Sequence, residues 1–211
     1  MPRPDKGTRQ KLVDTAADLI WTSSYGSVSV DDICRAADVK KGSFYHYFPS
    51  KADLAIAAME EHFAEDLEPY FQQVFAANVP FAQQIENFAE SILEEQRTAQ
   101  EKYGRVCGCP LAALGSEMIG EEGQIISAKV QEMFGKCQDY LKAAISSAIA
   151  AGAVDAKDAD EKVRELHDFI TGLMMMGRIN NTLDGLEHDL KPGMQRILGL
   201  AVKQQILKKS L

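Results

Sequence analysis

Residues 40–51 read KKGSFYHYFPSK. Five ring side chains, Phe44 to Phe48, stand in a row with lysines on both sides. Successive side chains point in different directions on a helix and to opposite faces on a strand, so five neighbours cannot share one core. Pro49 stops a helix and holds the residue before it in an extended backbone. The segment therefore predicts a short helix over residues 41–48. Phe44 and Phe48, four apart on one face, anchor it to a core. Lys41 and Tyr45 share another face, and Ser43, His46 and Tyr47 fill the outer arc. Gly42 has no side chain to keep another surface from the backbone. Lysines, hydroxyls and phenols are the donors that phosphate oxygens and base edges accept from.

The flanking sequence gives this short helix a setting. From Thr8 to Ser23, Leu12, Val13, Ala16, Ala17, Leu19 and Ile20 recur at helical spacing. SSYGS then breaks the pattern. Ser29 with Asp32 three residues on predicts a capped second helix, with Val30, Ile33 and Ala37 turned inward. Asp38 tolerates a left-handed backbone and suits a tight interhelix turn. Ser50 caps a further helix that starts at Lys51 and runs into the seventies, with Pro69 as a kink. One longer helix followed by two short helices across a tight turn is a helix-turn-helix arrangement.

The chain of 211 residues has a net charge of −8, which by itself argues against a nucleic-acid partner. The distribution changes that. Residues 1–51 hold eight Lys/Arg against six acids, whereas the remainder holds 15 against 25. A mildly basic head on an acidic body suits a nucleic-acid contact confined to the head. No run of about 18 apolar residues is present to span a membrane. The opening MPRPDKGTRQKL has no apolar stretch of the secretory kind. Cys34, Cys107, Cys109 and Cys137 are too few for a disulfide scaffold in a chain this long, which points to a reducing cytoplasm.

The stretches TRQKLVDTAADLI, SVDDICRAADV and KGSFYHYFPSKADL resemble the DNA-binding domain of TetR-family transcriptional regulators. The resemblance implies an all-α protein, with an N-terminal three-helix DNA-binding domain over 1–52 and a C-terminal helical ligand-binding and dimerisation domain over 53–211. By position it implies DNA contacts at Ser29, Lys40, Lys41, Gly42, Ser43, Tyr45, His46, Tyr47 and Lys51. It further implies a homodimer on a palindromic double-stranded operator, a repressor released by a small-molecule effector, and no enzymatic activity, cofactor or metal. Asp38 stands where the family usually has Gly, and Lys40 where it usually has a Ser-like cap.

Past residue 80, helical patterns cover residues 81–101, 124–151, 158–183 and 193–208, with a shorter helix opened by Pro110. Gly152 fits the stop of the 124–151 helix, and DGLEHDLKPG separates the last two. Those two carry Leu166, Ile170, Leu173 and Met174, then Met194, Ile197, Leu198 and Ala201. The resemblance implies that they pair with their copies as a dimer interface; burial within one chain is the alternative. Phe63, Phe71, Phe88, Tyr103, Met118, Phe134, Phe169 and Met175 have the character of effector-pocket lining, and equally of plain core.

RVCGCPLAALGSEM places Cys109 just ahead of the helix opened by Pro110. A thiol at a helix N-terminus gains thiolate character, and Arg105 would add to it. The stretch resembles a subset of TetR regulators that respond to oxidants or electrophiles through a cysteine at the place of Cys109, with Cys107 as an addition. The same fold acting as a cysteine-based sensor is therefore a second reading, and a buried inert thiol is its alternative. A helical module that binds DNA or protein without regulating transcription is a third. Catalytic signatures are missing: there is no HExxH, and the spaced glycines Gly115 and Gly120 are followed by Glu121 where a phosphate loop needs Lys. Paired acids such as Glu60 and Glu61 fit solvated helix faces.

Overall fold

The computed structural model describes residues 6–118 and 121–200, and every regular element among them is helical. Ala201, expected at the dimer face, lies outside the described residues. The chain forms two compact units. The first joins the chain up to Leu67 with Pro110–Met133; the second joins Glu68–Cys109 with the chain from Phe134 onward.

In the first unit, α1 (Lys6–Thr22), α2 (Val30–Ala36), α3 (Lys41–Tyr47) and α4 (Lys51–His62) build the head. Leu12, Val13 and Ala16 of α1 are buried with Ile33 of α2, Phe44 of α3 and Leu54 of α4. Arg9 of α1 pairs with Glu61 of α4, which also accepts from Gln10. The start of α2 is a capping box: Ser29 Oγ accepts from the Asp32 amide at 3.1 Å and the Asp32 carboxylate accepts from the Ser29 amide at 3.0 Å. Asp38 takes φ 53 after α2, the left-handed role expected of it, while the Val39 amide closes back on the Cys34 carbonyl at 2.9 Å. Ser50 caps α4 through the Asp53 amide. The same unit contains α7 (Pro110–Ser116) and the opening of α8 (Glu121–Ala150). There Lys129 pairs with Glu60 of α4 at 2.9 Å.

Beyond α4 the helix passes through a π-helical turn, Phe63–Leu67, into α5 (Glu68–Val74). Pro69 has no N–H for the carbonyl four residues back, so the expected kink takes the form of a wider turn just ahead of it.

The second unit is built from α5, α6 (Phe81–Tyr103), the later half of α8, α9 (Ala159–Asn180) and α10 (Lys191–Ile197). Asp158 caps α9, and Gly104 and Gly152 end α6 and α8 in left-handed backbone at φ 70 and 69. A second π-helical turn, Leu186–Leu190, fills the stretch that the sequence reads as a break. It buries Leu186 and Leu190, which is why the chain stays helical there. Of the residues expected at a dimer interface, Leu166, Ile170, Met174, Met194 and Leu198 are buried within this one chain, while Leu173 and Ile197 are half-buried. The apolar side chains that α9 exposes are Met176 and Ile179, at 50% and 69%.

Candidate nucleic-acid interface

The head turns α3 outward. Phe44 and Phe48 are buried, as their spacing demands, and Phe44 lies edge-on to Tyr45 with ring centroids 5.1 Å apart. Tyr45 is 52% exposed. Lys40, Lys41, Gly42 and His46 are exposed, and Ser43 and Tyr47 are half-buried beside them. A methyl group placed on Gly42 would meet nothing within 4 Å, and Gly42 has no left-handed backbone to justify a glycine. Alanine there would favour the helix by about 1 kcal/mol. Nothing among the described residues calls for a glycine at position 42.

The cations of this surface are largely engaged. Lys41 Nζ lies 2.8 Å from Asp31 Oδ1 on α2, and Arg35 pairs with Asp32 at 3.2 Å. The hydrogen bond that Lys41 donates to the Asp31 carboxylate raises the Lys41 pKa above its ordinary value. Lys40 precedes α3 with no side-chain cap, as a residue with no acceptor must. Lys51 has a task the sequence does not announce. Its ammonium donates to the Tyr25 and Val28 carbonyls at 2.8 and 2.9 Å and sits 3.9 Å from the centre of the Tyr25 ring. It thereby pins the α1–α2 loop that delivers Ser29 to the start of α2. Glu117, just after α7, holds the same loop by accepting from the Gly26 amide at 3.0 Å.

In the second unit, the loop before α7 is bound on two sides. Gln96 of α6 is fully buried; it accepts from the Gly108 amide at 2.7 Å and donates to the Gly108 carbonyl at 3.2 Å. Arg178 of α9 donates to the Cys107 carbonyl at 2.7 Å, and Asn181 accepts from the Val106 amide at 3.0 Å. Cys107 is buried, and its burial raises the thiol pKa. Cys137 is pushed up to about 12 by burial, with a smaller contribution from Cys109. Cys109 is half-buried.

Of the expected effector residues, Phe71 and Phe88 are brought together, with ring centroids 5.6 Å apart. Phe63 and Met118 belong to the first unit, where Met118 lines an open cleft of about 360 Å³ with Gln124 and Ser127. In the second unit Phe88 joins a ring cluster with Phe71, Phe75, Tyr70 and Tyr140, centroids 5.4–6.2 Å apart. Tyr103 lies under the Lys102 ammonium, Phe134 packs edge-on to His167 at 4.7 Å, Phe169 presses on Gly193, and Met175 is half-buried. Tyr70, Phe75 and Tyr140 were missed by sequence reasoning. Phe71 and Phe75 share a helical face, which is readable, but the arrival of Tyr140 from α8 is not.

A capped short helix, a left-handed turn and a second short helix with an exposed donor-rich face make a helix-turn-helix DNA-binding transcriptional regulator. Comparison with known proteins supplies the family. Residues 12–58 match the model for bacterial regulatory proteins of the tetR family. Residues 83–191, just over half of the chain, match the Tetracyclin repressor-like C-terminal domain. The chain belongs to the TetR family of bacterial regulatory proteins. It is 24% identical over 192 residues to the transcriptional repressor NemR of Escherichia coli strain K12, covering 87% of this chain and 90% of that protein. It is 34% identical over 112 residues to the transcriptional regulator AcuR of Cereibacter sphaeroides; that match spans 52% of this chain and about half of AcuR, 48%. A TetR-family regulator from Agrobacterium tumefaciens shares the fold with a TM-score of 0.78 at 22% identity, over 90% of this chain and 97% of that one. No helix among the described residues is long and apolar enough to cross a membrane.

Proposed function

We infer that the protein is a cytoplasmic, homodimeric repressor that reads a palindromic double-stranded operator through α3 and releases it when a small-molecule effector binds the body. The observation that carries this reading is the outward arc of α3 with an unexplained Gly42 at its centre. Lys40 and Lys41 contact phosphates, and Tyr45, Tyr47 and Ser29 add donors to the same strand backbone. Gly42, Ser43 and His46 lie nearest base edges. Lys51 acts chiefly by holding the α1–α2 loop. One short helix reads few bases, so two copies on neighbouring half-sites supply the specificity. Residues 1–52 serve DNA and residues 53–211 serve effector and dimer, with exposed Met176 and Ile179 of α9 facing the second copy. Selection of duplexes from a random library by the reduced protein tests this. The reading expects a two-fold symmetric motif with half-sites about 10 base pairs apart; an unenriched pool overturns it.

The anchored cysteine loop favours a second trigger. Cys109 is the less buried of the neighbouring thiols and runs directly into α7, at whose far end Glu117 holds the Gly26 amide. Oxidation or alkylation of Cys109 would then reach the head along one short helix. Peroxide treatment should abolish DNA binding by the wild type and spare Cys109→Ser; equal sensitivity of both removes this trigger.

A further inference from the structure

Lys41 opens α3, and Asp31 sits in the first turn of α2 on the other side of the left-handed turn at Asp38. Their side chains meet at 2.8 Å, with both groups more than half exposed. The α3 helix begins with Lys40 and Lys41, carries no acid in its first turn and has no side-chain cap. The negative charge beside it comes from the neighbouring helix. An exposed pair of this kind contributes little to stability, so its presence is not explained by folding. Its place is informative. Lys41 is the cation at the edge of the arc built by Gly42, Tyr45 and His46, where a DNA phosphate would lie.

Resting on the DNA-binding reading, we propose that Asp31 is an intramolecular competitor of DNA phosphate for Lys41, and that it holds down sequence-independent binding. An ammonium in contact with a carboxylate must give up that partner, or share it with a phosphate lying close to a like charge. Either course weakens contacts that are purely electrostatic. The released Asp31 also takes up a cation from solution, which cancels part of the counterion release that drives binding. Residues 1–51 have only two more basic than acidic residues, so removing one acid changes the head's excess charge by half. Arg35, held by Asp32, shows the same habit on the same helix.

The test is a double-mutant cycle read by fluorescence anisotropy on a 30-base-pair duplex of mixed sequence, with salt varied. Asp31→Asn should bind roughly fivefold more tightly than wild type at low salt, with a log–log salt slope steeper by up to about 0.9. Asp31→Glu, which keeps the charge, should behave as wild type. In a Lys41→Ala background the Asn substitution should have no effect. Circular dichroism and dimer mass confirm that each variant is folded. A gain that persists without Lys41 would mean that only bulk charge matters, and would overturn the proposal, as would no gain at all. Absence of binding by the folded wild type at low salt would instead overturn the DNA-binding reading beneath it.

Discussion

Gly42, in the first turn of α3, and Gly108, in the loop before α7, both lie in segments that draw attention in the sequence, and their surroundings are opposite. A methyl group on Gly42 meets open space. A methyl group on Gly108 meets Arg178 Cβ and the Met174 carbonyl at 3.0 Å, on a backbone with φ +70. The chain needs Gly108 for its own folding, and it gains nothing inside itself from Gly42. The loop's backbone at residues 106–108 is held from within, by Gln96, Arg178 and Asn181. The arc of α3 presents donors to the outside. On the proposed DNA-binding reading, a glycine that the described residues do not require is kept for the operator's close approach.

Substitutions should separate the two regions by what they damage. The largest effect is expected at Gln96→Ala, which removes two hydrogen bonds to buried Gly108 and leaves a cavity. It should cost about 3 kcal/mol in urea unfolding, and a loss below about 0.5 kcal/mol would show that the loop is not held this way. Lys51→Ala removes two charge-assisted hydrogen bonds from the α1–α2 loop and should cost about 2 kcal/mol. Its DNA salt slope should fall by clearly less than the 0.9 or so expected for a lost phosphate contact; a full drop would return Lys51 to the phosphates.

The buried thiol gives the loop's unit a pH signature. Because the Cys137 thiol is raised from 9.0 to about 12 in the fold, the unfolded chain ionises first. Its contribution is intact below pH 9.0 and is lost as pH climbs from there towards about 12, at about 1.4 kcal/mol per unit. Cys137→Ala should flatten that part of the stability profile, and an unchanged profile would place the thiol in water. The smallest change in stability belongs to Gly42→Ala, and it has the opposite sign. Alanine should stabilise the head by about 0.5–1 kcal/mol, provided Gly42 is kept for an outside partner.

The head was readable because its signals are local. Ser29 with Asp32, Asp38 at the turn, Ser50 and Pro49 each act within a few residues, and each does in the structure what its chemistry predicts. The family adds the expectation of DNA contacts, but sequence could not show that Lys51 reaches back 23 and 26 residues to two carbonyls. The body was less readable because helical periodicity reports that a face is apolar, not what covers it. Leu166, Ile170 and Met174 form a clean stripe, and that stripe is core of the chain, while the apolar side chains that α9 turns outward are Met176 and Ile179. The 186–190 segment reads as a break because Asp184-Gly185 and Pro192-Gly193 flank it with turn residues, although Leu186 and Leu190, four apart, share one helical face. The ring cluster around Phe88 draws on three helices, and no local signal joins them.

The most direct test is a nuclease footprint on the DNA upstream of the protein's own gene, with reduced wild type and Gly42→Ala titrated side by side. The account predicts a two-fold symmetric protected site for the wild type. It predicts that Gly42→Ala, equally or more stable, needs roughly tenfold more protein for the same protection, equivalent to about 1.4 kcal/mol of binding. Equal protection by the two proteins would contradict the claim that the open face of α3 is kept for DNA.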